Sequence, residues 1–354
     1  MRNAIAVFAT TCLLSLLAAP TARADSSPNA DICASADDSA YSPEQRIAAC
    51  GALIDALKDQ PAALAAALVN RGATYWFIDK TDLALADFNR AIALDPNNKR
   101  AFRERSNAYR SIGKLDQALI DANKAVELDP NDPAAFDNRA NVFNNNGQYD
   151  RAIADYNEAL RLKPDDSQTF MDRGVAYYFK QDYHSAIGDY DQAIKLDPKK
   201  SRAYTNRGAA YKKLGRTDAA IADESEAIKL DASEPAYFDN RGLSYAAEGE
   251  YDRAIIDYNE AIRISPRATF LTNRGNAYQA KGDLSRAIAD YDRAIQLNPA
   301  FADAYNNRGA AFRGRGDLDR AIADYQAALR VDPQLKTAAE NLAAVQALRK
   351  RAMK

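Results

Sequence analysis

A phrase of about 34 residues recurs eight times along this 354-residue chain, and it constrains the fold more than any other feature. One copy, residues 305–325, is YNNRGAAFRGRGDLDRAIADY. We call the small residue after the arginine position 8, which anchors the eight copies at Gly72, Ser106, Ala140, Gly174, Gly208, Gly242, Gly275 and Gly309. Six of the seven intervals between anchors are 34 residues and one is 33. A fixed period of this length predicts one supersecondary unit stacked on copies of itself.

Each copy places aromatic, small, alanine and proline residues at fixed spacings. In the last copy these residues are Tyr305, Gly309, Phe312, Ala321, Tyr325 and Pro333. Small residues let two helices approach closely, and aromatic rings fill the space between them. Over about residues 65–335 the pattern resembles the tetratricopeptide repeat. The resemblance implies an all-α fold: a right-handed superhelical solenoid of eight helix-turn-helix repeats, whose first helices line a concave groove. Ala122 and Glu224 depart from the pattern at a position that is usually aromatic.

Position 7 is arginine and position 23 is aspartate in all eight copies, although the family usually has leucine at position 7. The two positions are equidistant from the turn of a helical hairpin. Because an unpaired charge near packed helices is costly, we predict that each arginine pairs with the aspartate of its own or the adjacent repeat. The expected pairs include Arg139–Asp155, Arg207–Asp223, Arg241–Asp257 and Arg308–Asp324. The alternative is a strip of arginines that binds a ligand in the groove.

Position 6 is asparagine in six of the eight copies, and the resemblance implies that it faces the groove. Asparagine carries both donors and acceptors, so it can hold an extended peptide backbone without reading its sequence. With further polar residues at positions 5 and 9, the expected partner-binding residues are Asn70, Arg103, Asn107, Asn138, Asn141, Asn206, Asn240, Asn273, Asn276 and Asn307. Alternatively, these asparagines were inherited with the duplicated repeat and face water.

Two aromatic pairs, Trp76-Phe77 and Tyr178-Phe179, occupy positions 12 and 13 of repeats 1 and 4. Other copies carry polar or small residues there. The pairs are either anchors for apolar side chains of a ligand or packing against the following turns, which lack the glycine found elsewhere. The sequence leaves both interpretations open.

The first residues resemble a secretory signal peptide. Arg2 precedes an apolar run from Ala4 to Ala19, and residues 22–24 provide small residues suited to cleavage. The alternative is an uncleaved anchor, but the run is shorter than the roughly 20 residues that span a bilayer. We therefore expect residues 1–24 to be removed, leaving a periplasmic or secreted protein with no stable membrane insertion.

Removal of that segment leaves two cysteines, Cys33 and Cys50. In an oxidising compartment we expect them to form a disulfide, and two buried free thiols are the alternative. The expected domains are an N-terminal segment and capping helix with this disulfide at 25–61, eight repeats at 62–334 and a C-terminal capping helix at 335–354. Both helices would cover an otherwise exposed repeat face.

Charge and chemistry restrict the classes of function. The processed chain would carry 45 basic and 49 acidic side chains, so no large basic field attracts nucleic acid. The single histidine, His184, lacks any catalytic signature, and we expect no enzyme activity, cofactor or metal. The sequence favours a non-catalytic scaffold or assembly factor of the cell envelope that binds a protein or peptide in the groove. The alternatives are a carbohydrate or peptidoglycan-strand binder and an accessory subunit of an envelope enzyme complex.

Overall fold

The computed structural model describes residues 28–35 and 40–352, so the expected signal peptide lies outside the described residues. The described part of the chain forms nineteen α-helices and no strand, which confirms the all-α prediction. Among these helices, none combines the length and the apolar character that a bilayer crossing requires. The described residues divide into two compact units, the first ending at Pro164 and the second beginning at Asp165.

The first unit contains two N-terminal helices and repeats 1 to 3. Its helices are α1 (Pro28–Ala34), α2 (Pro43–Ala56), α3 (Pro61–Phe77), α4 (Thr81–Leu94), α5 (Lys99–Ser111), α6 (Leu115–Leu128), α7 (Pro133–Asn145) and α8 (Tyr149–Leu162). From α3 onward, consecutive helices pair as repeats, and each pair packs on the next. The expected disulfide between Cys33 and Cys50 is present and joins α1 to α2. A capping box of Ser42 and Gln45 begins α2.

The second unit contains repeats 4 to 8 and a final helix. Its helices are α9 (Ser167–Phe179), α10 (Tyr183–Leu196), α11 (Ser201–Lys213), α12 (Thr217–Leu230), α13 (Pro235–Ala247), α14 (Tyr251–Ile264), α15 (Ala268–Ala280), α16 (Leu284–Leu297), α17 (Ala302–Gly314), α18 (Leu318–Val331) and α19 (Lys336–Ala352). The helices again pair in order, and α19 packs on α18. Val345 of α19 is fully buried in the contact with the last repeat.

Close helix packing within a repeat depends on positions 8, 20 and 24. Gly174 at position 8 of repeat 4 lies so close to Tyr190 that an added Cβ would meet the ring at 2.6 Å. The alanine at position 20 is fully buried in every repeat: Ala84, Ala118, Ala152, Ala186, Ala220, Ala254, Ala287 and Ala321. The sequence pattern therefore specifies the contact between the two helices of each pair.

The turn inside each repeat needs a backbone with positive φ. Six repeats use glycine there, with φ between 71° and 82°: Gly113, Gly147, Gly215, Gly249, Gly282 and Gly316. Repeats 1 and 4 instead place Asp79 (φ 59°) and Gln181 (φ 67°) in this region. These are the two repeats whose first helix ends in an aromatic pair. In all eight repeats the residue after the positive-φ position donates its N–H to the carbonyl of position 11 at 2.9 Å, so the turn keeps the same backbone hydrogen bond with or without glycine.

Candidate functional site

Each arginine at position 7 forms a bidentate ion pair with the aspartate of its own repeat. Nε donates to one carboxylate oxygen and Nη2 to the other, at 2.6–2.8 Å in every case. The pairs are Arg71–Asp87, Arg105–Asp121, Arg139–Asp155, Arg173–Asp189, Arg207–Asp223, Arg241–Asp257, Arg274–Asp290 and Arg308–Asp324. The arginines are therefore engaged inside the helix pairs rather than forming an open strip.

The third guanidinium nitrogen links neighbouring repeats. Nη1 of Arg105 donates to Asn89 of the preceding repeat at 2.7 Å, and Nη1 of Arg308 donates to Asp292 at 2.6 Å. The acceptor is the residue at position 25 of the preceding repeat. The same hydrogen bond is accepted in other repeats by Asn123, Asp191, Ser225 and Asn259. Position 25 is not marked in the sequence by one constant residue, because its type changes between copies although it remains polar. One arginine thus holds together three helices.

Aromatic rings flank the same guanidinium groups. In repeat 5 the Cζ atom of Arg207 lies 5.6 Å from the ring centroid of Tyr204 and 5.9 Å from that of Tyr211. These rings occupy positions 4 and 11, which are aromatic in most copies. Stacking of this kind suits the planar guanidinium and excludes water from one side of the ion pair.

Most of the asparagines predicted to bind a partner form hydrogen bonds between repeats. The amide of Asn138 donates to Asn107 at 2.9 Å, and that of Asn307 donates to Asn276 at 3.0 Å. In the same way Asn273 donates to Asp239 at 2.9 Å, while Asn70 accepts from Arg100 at 2.8 Å. These contacts connect the first helices of consecutive repeats within each unit.

Two further candidates are also occupied by the protein itself. Arg103 lies 3.3 Å from carboxylate oxygens of both Glu104 and Asp132. Asn141 donates to the carboxylate of Asp137 at 3.0 Å and accepts from the hydroxyl of Tyr156 at 3.1 Å. A ligand would have to displace these contacts to use either side chain.

Asn206 and Asn240 differ from the other asparagines at position 6. Both side chains are half-buried, and neither makes a hydrogen bond to any of the residues that the structure describes. They lie on α11 and α13, the first helices of repeats 5 and 6, which pack near each other. Leu243, one turn after Asn240 on α13, is 41% exposed. We call Asn206, Asn240 and Leu243 the open segment of the first-helix face.

Beside the open segment, Glu224 occupies the place of the usual aromatic ring. Its carboxylate is fully buried and accepts a hydrogen bond from Lys212 Nζ at 2.7 Å and another from Ser244 Oγ at 2.8 Å. Burial raises the pKa of Glu224 above its ordinary value, although Lys212 and Ser244 act in the opposite direction. The departure from the aromatic residue is evident in the sequence, but these two partners are not.

The aromatic pairs pack partly against their own surroundings. The indole of Trp76 donates to Ser111 of the next repeat at 3.2 Å. Tyr178 makes edge contacts with Phe179 and Tyr183, whose ring centroids lie 5.7 and 5.4 Å away. The first ring of each pair therefore has a structural role, while the second ring, Phe77 or Phe179, is about half exposed.

Comparisons with known proteins agree with this architecture. Models described as TPR repeat or tetratricopeptide repeat match residues 69–133, 122–154, 140–180, 174–215, 201–234, 242–282, 275–313 and 302–335. No curated protein matches the chain significantly.

Solved structures share the fold at low sequence identity. The crystal structure of the APC/C hetero-tetramer Cut9-Hcn1 is similar with a TM-score of 0.57 and 15% identity, over 85% of this chain. The match spans only 59% of that chain. A Pseudomonas aeruginosa pilF structure has a TM-score of 0.51 and 21% identity, covering 57% of this chain and 92% of the other. These likenesses concern the fold alone. With its repeats matched along most of its length, the chain belongs to the tetratricopeptide repeat family.

Proposed function

We propose that this protein is a non-catalytic scaffold that binds an extended polypeptide segment of a partner protein on the open segment of repeats 5 and 6. Tetratricopeptide repeats are in general protein-interaction scaffolds, which supports the class of function. The observation that carries the location is the absence of any hydrogen bond to the side chains of Asn206 and Asn240 within the described residues.

The chemistry of the open segment suits a polypeptide backbone. Each carboxamide offers two donor hydrogens and an acceptor oxygen, which match the C=O and N–H groups of an extended chain. Leu243 provides an exposed apolar surface beside them for a side chain of the partner. The other asparagines at position 6 are already hydrogen-bonded to neighbouring repeats, so we expect binding to be concentrated at repeats 5 and 6.

We further propose that the protein works outside the cytosol, in the periplasm or as a secreted protein. The buried Cys33–Cys50 disulfide supports this location, because such bonds persist in oxidising compartments. The signal-like sequence at residues 1–24 supports it as well. Fractionation of cells that express the full chain, with N-terminal sequencing of the product, tests the proposal. A full-length protein found in the cytosol would contradict it.

The binding proposal is tested by affinity capture from cell-envelope extracts with the native protein and the double variant N206A/N240A. A partner identified by mass spectrometry is then purified, and its Kd is measured with both proteins. Loss of two amide groups that bind the backbone should weaken binding about tenfold or more.

The matched control is the double variant N70A/N307A, which changes the same position in repeats whose asparagines are engaged elsewhere. It should retain the partner, although its thermal unfolding will occur at a lower temperature. Equal Kd values for the native protein and N206A/N240A would show that the open segment is not the binding site.

A further inference from the structure

Asp239 is a carboxylate beside the open segment that has no ion pair among the described residues. It occupies position 5 of repeat 6, next to Asn240 on α13. One oxygen accepts the hydrogen bond from Asn273 at 2.9 Å, and this is a neutral amide. Burial raises the pKa of Asp239, because an ionised carboxylate in this place lacks sufficient compensation.

Two cations, Lys212 and Arg267, act on Asp239, but neither forms a direct ion pair with it. The positive charge of Lys212 acts to lower the pKa of Asp239, but its ammonium group is hydrogen-bonded to the buried Glu224 at 2.7 Å. Arg267 also contributes, but its guanidinium lies over the ring of Phe270, 5.3 Å from the centroid. The acids Glu224 and Asp239 and these two bases are thus equal in number, but among the described residues only Glu224 has a direct ion pair and Asp239 has none.

Helix geometry places Asp239 and the open segment on one face. Residues three and four apart are neighbours on a helix, so Leu243 lies one turn from both Asp239 and Asn240. A carboxylate without a direct ion pair, an amide without a hydrogen bond among the described residues and an exposed apolar side chain thus lie together. An unpaired, largely buried charge is destabilising, and perturbed carboxylates beside a binding surface are candidates for a functional role.

We propose that Asp239 selects partner segments that carry a lysine or arginine side chain beside an apolar residue. The basic side chain pairs with Asp239, while the apolar residue packs on Leu243. This inference rests on the proposed binding of an extended polypeptide at repeats 5 and 6, and it adds the chemistry of the segment that is bound. Elsewhere in the second unit, position 5 is Met171, Thr205, Thr272 or Asn306, so repeat 6 alone offers a carboxylate there.

The test is phage display of random nine-residue peptides, which are selected on the native protein and, in parallel, on its D239N variant. Lysine and arginine should be enriched on the native protein and not on D239N. One selected peptide is then synthesised with lysine and with norleucine, and the Kd of each is measured by fluorescence anisotropy. On the native protein norleucine should weaken binding about tenfold or more, and on D239N it should have no effect.

The control D303N removes an exposed carboxylate from the first helix of repeat 8 and should bind both peptides as the native protein does. Equal losses for norleucine on the native protein and on D239N would overturn the role of Asp239. Peptides that lose affinity with N206A/N240A but show no basic preference would keep the proposed function and refute this inference. If no peptide is enriched, or none depends on Asn206 and Asn240, the proposed function fails as well.

Binding of the basic peptide should also depend on pH. The titratable and charged groups around Asp239 are Lys212 on α11, Glu224 on α12, Tyr258 on α14 and Arg267 before α15. Only the ionised carboxylate attracts the cation, so affinity should fall as the pH drops through the raised pKa of Asp239. The fall should begin at a higher pH than the usual value of about 3.9 would give. D239N should remove this part of the pH dependence, and an unchanged profile would contradict the ion pair.

Discussion

The arginine at position 7 illustrates what single residues contribute to this fold. Its pairing with position 23 could be predicted because both residues are constant in all eight copies. Its link to position 25 of the preceding repeat could not, because Asn, Asp and Ser alternate there and no constant residue marks the contact. The guanidinium replaces the apolar packing of a leucine with hydrogen bonds to two other helices.

The sequence also could not predict which asparagines at position 6 form hydrogen bonds between repeats. Asn240 and Asn273 have the same type and the same position, yet only Asn273 finds an acceptor, Asp239, in the preceding repeat. Asn206 occupies the same position in repeat 5 and finds no acceptor among the described residues. The difference arises from the neighbouring repeat. An interpretation of each repeat by itself therefore predicts that the asparagines at position 6 are all alike, and it does not predict the short open segment.

The ion pair of repeat 7 provides a test at this scale. Changing Arg274 to leucine leaves the buried carboxylate of Asp290 without its partner, and we expect a loss of about 3 kcal/mol in the free energy of unfolding. Changing Asp290 to leucine should cost a similar amount. The double variant R274L/D290L should lose much less than the sum, because no unpaired charge remains.

Urea denaturation followed by circular dichroism measures these differences. As a control, removal of the exposed Arg263 from its pair with Glu260 should leave the denaturation midpoint unchanged. Strictly additive losses in R274L and D290L would mean that the two side chains do not act as a pair.

At the scale of the helix pair, the residue at position 24 decides how much space surrounds the glycine at position 8. An aromatic ring there presses against the glycine of position 8, as Tyr190 does against Gly174. In repeat 5 the slimmer Glu224 takes this place. An added Cβ on Gly208 would have its nearest neighbours, which include one atom of Glu224, at 3.4–3.6 Å. The sequence identified repeat 5 as atypical because the aromatic is missing, but it could not foresee that Lys212 and Ser244 would satisfy the buried carboxylate.

Alanine substitution at position 8 should therefore have opposite effects in two repeats. G174A forces a Cβ to within 2.6 Å of the buried ring of Tyr190, and we expect a loss of about 1–3 kcal/mol. G208A meets only ordinary contacts and gains helix propensity, so we expect no loss and a gain of up to about 1 kcal/mol. Thermal unfolding of both variants beside the native protein checks this, and equal effects would contradict the difference in packing.

In the molecule as a whole, most contacts join neighbouring helices within each unit. Successive helices pack in order, and the first helices of adjacent repeats also meet. The helices α2 and α19 pack against the first and last repeats, as expected for a repeat protein that must cover its ends. The sequence supports this prediction because apolar residues recur at helical spacing outside the repeats, at Ile47, Ile54 and Leu57 and again at Leu335, Leu342 and Val345. In such an array a local change should destabilise its own neighbourhood more than distant repeats.

Loss of the disulfide tests this local response. The double variant C33S/C50S should reduce stability at the N-terminal end by about 3 kcal/mol, as the chain-entropy model gives for a loop of this size. Hydrogen exchange should show reduced protection in α1 to α3 and little change in α15 to α18. Uniformly faster exchange along the chain would indicate that the repeats unfold together.

The placement of the ion pairs also bears on how such a chain grows in evolution. Both members of each Arg–Asp pair lie within one repeat, only 16 residues apart in sequence. A gene segment that encodes a single repeat therefore carries both charges when it is copied, inserted or deleted. Recombination between copies leaves no buried carboxylate without its arginine, whereas the acceptor at position 25 is free to vary. The length of the array can thus change by whole repeats at little cost to folding.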